Sequence, residues 1–241
     1  SGLRRSAPAR QIHARMKKIL WFCLSACMPV GAEGDAELIQ LLLRENLDHR
    51  TFAFSDVVAA SAGKKVIPLD ESNAAHLRIT TAVRTALDKA LGELSRADSP
   101  VRKLRRINEA SRFFEDSLLD KINSSEGLRC EIPPAKNGEL QRSGYPDLKI
   151  TDKASGVVAY LDPKLVEAKS LDSTLRTFYY EPKHETLKIN DDAIHLLCGI
   201  EHDGNEGAWT FTRFHLIDLS KLRVRLKAEF QASNADIYPA K

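Results

Sequence analysis

The sequence has no apolar run long enough to span a membrane comfortably, no glycine-rich phosphate loop and no Gly-x-Ser-x-Gly elbow. Ile19–Val30 falls short of the roughly 20 apolar residues a spanning helix needs. Lacking the glycine loop, the chain has no nucleotide-phosphate cradle, and lacking the elbow it has no hydrolase serine of that type. His184, His195, His202 and His215 show neither zinc-finger nor His-Glu-x-x-His spacing, so no zinc site is assigned. Surplus charge is missing too. The 241 residues carry a net +3, but residues 1–32 hold six basic residues and no acid. Without them, 30 of the 36 basic residues face 33 acidic ones, a net of −3. Global charge therefore gives no argument for nucleic-acid binding, and any such argument must come from local patches.

What is there begins with a targeting pattern. Met16-Lys17-Lys18 leads into Ile19–Val30, the basic-then-apolar layout of a secretory signal, and Val30-Gly31-Ala32 suits cleavage before Glu33. With Ser1 at the start, residues 1–15 read as lying upstream of a natural start at Met16. Leu24-Ser25-Ala26-Cys27 resembles a lipobox, so lipid anchoring through Cys27 competes with plain cleavage, and a buried N-terminal helix is the third option. The expected location is the periplasm or the exterior, or the cytoplasm if this run is no signal. Cleavage at Ala32 leaves only Cys130 and Cys198. Oxidising surroundings would permit one disulfide between them, and two buried thiols are the preferred alternative.

From Glu33 to about Asn123 the periodicity is mostly helical. Leu38, Ile39, Leu42 and Leu43 mark a short helix; Leu77, Val83, Leu87, Ala90, Leu91 and Leu94 mark a longer one. Ser95–Asp98 breaks the pattern. Ser99-Pro100 then supplies an N-cap and a first-position proline for a helix running to about Asn123, with Ile107, Phe114, Leu118 and Ile122 on its stripe. After Gly127 the period changes to that of strands. Tyr145–Thr151 and Val157–Val166 flank a turn at Lys153–Gly156, Ile194–Ile200 and Trp209–Ile217 flank another at His202–Asn205, and Leu222–Phe230 alternates strictly. Helices first and strands later predict an α+β fold with a mixed, mainly antiparallel sheet and flanking helices.

Chemistry concentrates in Gly144-Tyr145-Pro146-Asp147 and Asp162-Pro163-Lys164. On an extended strand Asp162 and Lys164 project to one side. A four-residue turn at 153–156 pairs Asp152 with Val157, and that register sets Asp147 opposite Asp162, roughly 5 Å apart. A slip of one residue would abolish the arrangement. Two carboxylates and an ammonium in one small area suit phosphodiester hydrolysis. The carboxylates offer hard oxygen ligands to Mg²⁺, which lowers the pKa of a bound water, and the lysine orients that water or offsets charge on phosphorus.

These residues resemble the PD-(D/E)XK nuclease superfamily, which includes many restriction and repair endonucleases. The likeness covers roughly residues 100–235. It implies a restriction-endonuclease-like core and a further acid from the preceding helix, for which Glu115 in Phe113-Phe114-Glu115-Asp116 is the matching candidate. The expected catalytic set is Glu115, Asp147, Asp162 and Lys164, with Mg²⁺ on Asp147, Asp162 and Glu115. Pro163 departs from the pattern, because it lacks a backbone donor and calls for an edge or a bulge. Glu167-x-Lys169 is a rival tripeptide whose parity points to the opposite face. On this likeness together with the signal and helical patterns, the chain is expected to divide into an extension with export signal at 1–32, a helical region at 33–98 and a nuclease-like core at 99–241.

For DNA contact, Lys221, Arg223, Arg225 and Lys227 alternate with apolar residues and would line one face of a strand, and Arg176 follows the motif closely. Solvent-facing charge explains the same alternation. The expected activity is Mg²⁺-dependent endonucleolytic hydrolysis of DNA. The expected partners are DNA and, as an open option, a second copy in a homodimer; no organic cofactor and no membrane span after processing are expected. The rival from another class is a non-catalytic exported or lipid-anchored binding protein that keeps the fold, a reading favoured by Pro163 and the acidic processed chain.

Overall fold

The computed structural model describes residues 32–238 apart from 46, 175–177, 184–185 and 228. The export run before Ala32, Cys27 and Arg176 lie outside the described residues. The chain divides after Glu45. The first unit holds helix α1 (Ala32–Arg44), which contains the short apolar pattern seen in the sequence. No helix among the described residues is long and apolar enough to cross a membrane.

The second unit opens with strand β1 (Thr51–Ala53) and helix α2 (Phe54–Ala62), which stops at Gly63 in the left-handed region. Strand β2 (Val66–Ile67) follows, and then the long helix α3 (Ala74–Leu94). Asn73 caps α3 by accepting from the amides of Ala75 and His76, and Ile79, Val83, Ala86, Leu87 and Ala90 form its buried stripe. Ser99 and Pro100 do start a turn with the expected cap, but it is 3₁₀ and ends at Lys103. After a second 3₁₀ turn at Ile107–Ala110, helix α4 (Ser111–Asn123) buries Phe114, Leu118 and Ile122.

Strands β3 (Leu128–Glu131), β4 (Leu148–Asp152), β5 (Val158–Glu167), β6 (Ala193–His202) and β7 (Phe211–Asp218) carry the rest of the core. Short strand β8 (Arg223–Arg225) and helix α5 (Asn234–Ile237) close the described chain. The main sheet runs β2-β6-β5-β4-β3, with β7 beside β6; β8 instead pairs with β1 in a small separate sheet. The β5–β6 and β2–β6 pairs are parallel, while β3–β4, β4–β5 and β6–β7 are antiparallel. The fold is α+β with a mixed sheet and flanking helices, as the order of periodicities predicts.

Alternation along the strands gives the sheet two different faces. One buries Ile150, Ala159, Leu161, Leu196 and Cys198 against α3 and α4, where Phe114 meets Phe211 edge-on at 4.7 Å. Each fully buried Leu, Ile or Phe here contributes about 2 kcal/mol. The other buries Tyr160 and Ala193 beneath Phe54 and Val58 of α2, with Tyr145 and Phe178 alongside. Cys130 and Cys198 are both buried free thiols, so no disulfide joins them.

Candidate active site

The β4–β5 turn sets the geometry of the site. The Asp152 amide donates to Val157 O at 2.9 Å and the Gly156 amide to Asp152 O at 2.8 Å. Gly156 sits at φ +74°, a conformation that favours glycine. The Asp152 carboxylate is buried in the bend. It accepts from Ser155 N at 3.0 Å and Oγ at 2.5 Å, and from Arg78 Nε and a terminal guanidinium nitrogen at 2.9 and 2.8 Å. Hydrogen bonds from Arg78 hold its carboxyl well below the usual range. So pinned, β4 and β5 pair Thr151 with Val158, Ile150 with Ala159, Lys149 with Tyr160 and Leu148 with Leu161. One further step sets Asp147 opposite Asp162, the register a four-residue turn predicts.

Asp147 is approached from an anchored side chain. Tyr145 is buried, with its ring edge-on to Phe54 at 5.7 Å and its hydroxyl 2.7 Å from His195 Nδ1. Gly144 just before it has φ +81°. Burial holds His195 neutral, its pKa lowered to about 4.

Lys164 joins the two acids. Its Nζ stands 2.5 Å from Asp162 Oδ2 and 3.5 Å from Asp147 Oδ2. The close approach to Asp162 is an ion pair without the direction of a hydrogen bond, and Asp162 Oδ2 is buried with no hydrogen-bond donor among the described residues. Burial first, and then the neighbouring Asp147 carboxylate, push the Asp162 carboxyl well up; Lys164 opposes them. Burial pulls the Lys164 ammonium down, but Asp162 and Asp147 outweigh it and raise the pKa.

Pro163 fits here without a bulge. β5 is a central strand, yet β4 pairs with it only as far as Leu161, so Pro163 lies where the β4 side is already open and only β6 continues alongside. The site therefore occupies an edge created inside the sheet. The expectation of an outer edge or a bulge is met by strands of unequal length instead.

Glu115 of α4 is mostly buried and close enough to Asp147 and Lys164 to feel both charges. Burial and then Asp147 raise its carboxyl; Arg142, 3.5 Å away, and Lys164 draw it down. Arg142 also holds the more exposed Asp116 at 2.7 Å. Among the described residues, no three His, Cys, Asp or Glu side chains are arranged to hold a metal ion. Glu115 thus stands apart from the close Asp147–Asp162 pair and completes no three-carboxylate ligand set with it. The pair itself offers hard carboxylate oxygens, with Asp162 Oδ2 buried against the Lys164 ammonium, and this donor set fits a hard dication.

Lys188 is a further charged group that no periodicity in the sequence marks. It is fully buried, its Nζ has no hydrogen-bond partner among the described residues, and its pKa is lowered by burial against the charges of Asp147, Asp162 and Glu115. Flanked by buried Leu187 and Ile189 outside any strand, it carries no motif. The one signal in the sequence is a cation enclosed by apolar neighbours.

The rival Glu167 and Lys169 pair with each other at 2.7 Å, with Lys169 exposed, and Glu167 has the opposite parity to Asp162 and Lys164. The basic strand is shorter than its alternation predicts. Lys221 ends a 3₁₀ turn, β8 covers only Arg223–Arg225, and Lys227 beyond it pairs with Glu229. Arg223 gives its guanidinium to Thr51 Oγ1 at 3.0 Å and Thr51 O at 2.9 Å. The four exposed cations therefore do not line one strand face. Strand pairing ends where β1, only three residues long, runs out.

A mixed sheet flanked by helices, with two acids and a lysine gathered at an opening between strands of unequal length, is an α+β architecture compatible with the restriction-endonuclease-like core. The chain belongs to the type II restriction enzyme MjaV family, whose model matches residues 45–241. It is similar to the type II restriction enzyme MjaV of Methanocaldococcus jannaschii, at 30% identity over 213 residues, 84% of this chain and 92% of that protein.

Proposed function

We propose that the chain is a DNA endonuclease of the PD-(D/E)XK type that hydrolyses phosphodiester bonds with Mg²⁺ at Asp147, Asp162 and Lys164. The observation that carries this reading is the β4–β5 register, which brings Asp147 onto Asp162 and leaves Lys164 2.5 Å from Asp162. The order of elements supports it: α4, the antiparallel run β3-β4-β5, and then β6 parallel to β5. Membership of a restriction-enzyme family argues for DNA as substrate and does not favour the non-catalytic rival.

Asp147 and Asp162 would hold the ion, which when bound supplies Lewis-acid polarisation of the phosphate and a more acidic water. Glu115, set further away, would act through a water or on the charge balance. Lys164 is only partly exposed, and its ammonium is placed to orient the attacking water or to offset charge gathering on the phosphoryl oxygens. Its raised pKa keeps it charged while it does so.

Cleavage of plasmid DNA with Mg²⁺ is the direct test. Asp147→Asn and Asp162→Asn should each reduce cleavage at least 100-fold, in the range that follows loss of about 3 kcal/mol of transition-state stabilisation, while the fold persists by circular dichroism. Lys164→Ala should keep DNA binding and lose turnover. Full cleavage by Asp147→Asn would sink the assignment. Because Glu167 has the opposite parity to Asp162 and Lys164, Glu167→Gln should cleave like the wild type.

A further inference from the structure

The face of the sheet that carries Asp162 and Lys164 continues past them. In the β5–β6 register Lys164 lies beside Gly199, and in the β6–β7 register Gly199 lies beside His215. One step along, Val166 lies beside Glu201 and Glu201 beside Arg213. Paired residues share a face, so Lys164, His215, Glu201 and Arg213 belong to one surface. Gly199 has no side chain, and a Cβ there would meet only the His215 Cβ, at 3.9 Å. The row between Lys164 and His215 therefore carries no side chain, although Gly199 itself is buried. β7 lies at the sheet margin here, with Arg213 69% and His215 39% exposed at the side chain.

Glu201 gives this row its structure. It is buried at 3% exposure, and its carboxylate accepts from His215 Nε2 at 2.5 Å and stands 3.5 Å from Arg213 Nε. A buried acid fixes the stems of two outward-facing side chains. The terminal guanidinium nitrogens of Arg213 and the Nδ1 edge of His215 have no partner among the described residues. The pre-oriented guanidinium donors of Arg213 suit a phosphate; with Nε2–H turned to Glu201, the Nδ1 of His215 adds a donor only in the imidazolium form.

Resting on the nuclease reading, we propose that Arg213 and His215, held by Glu201, form a subsite for a DNA backbone phosphate beyond the scissile one. Two inter-strand spacings put this subsite about 10 Å from Lys164. A phosphate within a few nucleotides of the cleaved bond falls at that distance on one strand. DNA would then pass from Lys164 toward the β7 margin, where Arg213 and His215 are exposed.

The test measures binding of the full chain to linear plasmid DNA in EDTA over a range of salt concentrations. Arg213→Ala should lower the slope of log affinity against log salt by about 0.9, the loss of one phosphate contact, and Arg213→Lys should restore most of it. Arg84 is exposed on α3, which packs against the opposite face, so Arg84→Ala is the charge-matched control and should leave the slope in place. An Arg213→Ala slope equal to wild type overturns the subsite, and so does an equal fall in Arg84→Ala. A chain that shows the Arg213 effect but cleaves nothing with Mg²⁺ keeps the subsite and sinks the nuclease reading. A chain with no affinity for DNA sinks both.

Discussion

Lys188 Nζ is enclosed without an acceptor among the described residues, and burial holds its pKa down. An amine taken from water unpaired costs about 1–3 kcal/mol, and a folded chain keeps such a group where function needs it. The surrounding charges are Asp147, Asp162, Glu115 and Lys164, so the buried lysine belongs electrically to the proposed site. Its removal should therefore help the fold and harm the reaction. Lys188→Met keeps the length and apolar stem of the side chain; its thermal midpoint should rise, while Mg²⁺-dependent cleavage should fall at least tenfold. Melting curves and plasmid cleavage on the same preparation decide the matter. A less stable variant with full activity would show that Lys188 supports the fold alone.

At the scale of elements, the β4–β5 hairpin depends on one carboxylate. Asp152 gathers Ser155 and Arg78 around the bend, and the bend fixes which residue of β5 faces Asp147. Asp152→Asn should cost about 2 kcal/mol in chemical denaturation, because charge-assisted hydrogen bonds are replaced by neutral ones in a buried place. Cleavage should fall as well, since a looser turn loosens the pairing on which Asp162 and Lys164 depend. Full activity in that variant would mean that β6 alone holds β5 in place. The hairpin was legible in the sequence because its information is local: turn length sets register, and parity sets the face. The same holds for α3, whose apolar stripe is a short-range feature. What stayed hidden depends on distant partners. β8 stops after three residues because β1, far away in the chain, is equally short. α4 starts later than Ser99-Pro100 suggests, because two 3₁₀ turns precede it and the cap serves the first of them. Lys188 reaches the site from a segment in no strand, and periodicity has no purchase on such a segment.

Seen as a whole, the molecule uses its sheet asymmetrically. Among the described residues, the face under α3 and α4 is closed by apolar packing, and the other is packed by α2 and the aromatic group around Phe54. Beyond that cover, among the described residues, the second face carries the polar side chains of Lys164, His215 and Arg213. The buried thiols sample this body at two depths. Cys130 sits on β3, the outermost strand at its end of the sheet, and Cys198 on β6, which is paired on both sides. Burial pushes the Cys130 thiol up to about 12 and the Cys198 thiol higher still, so neither reacts while the fold is closed. Each sulfur can meet a labelling reagent only during an excursion that opens its own strand, and peripheral strands open more often than central ones. A chain beginning at Glu33 should therefore take up a thiol reagent in two separate phases, Cys130 first, with the slow phase keeping time with global unfolding. One simultaneous phase for both would mean that the sheet comes apart only as a unit. In either case the two sulfurs act as a pair of clocks already built into the protein, one set to the fraying of its margin and one to the lifetime of its centre.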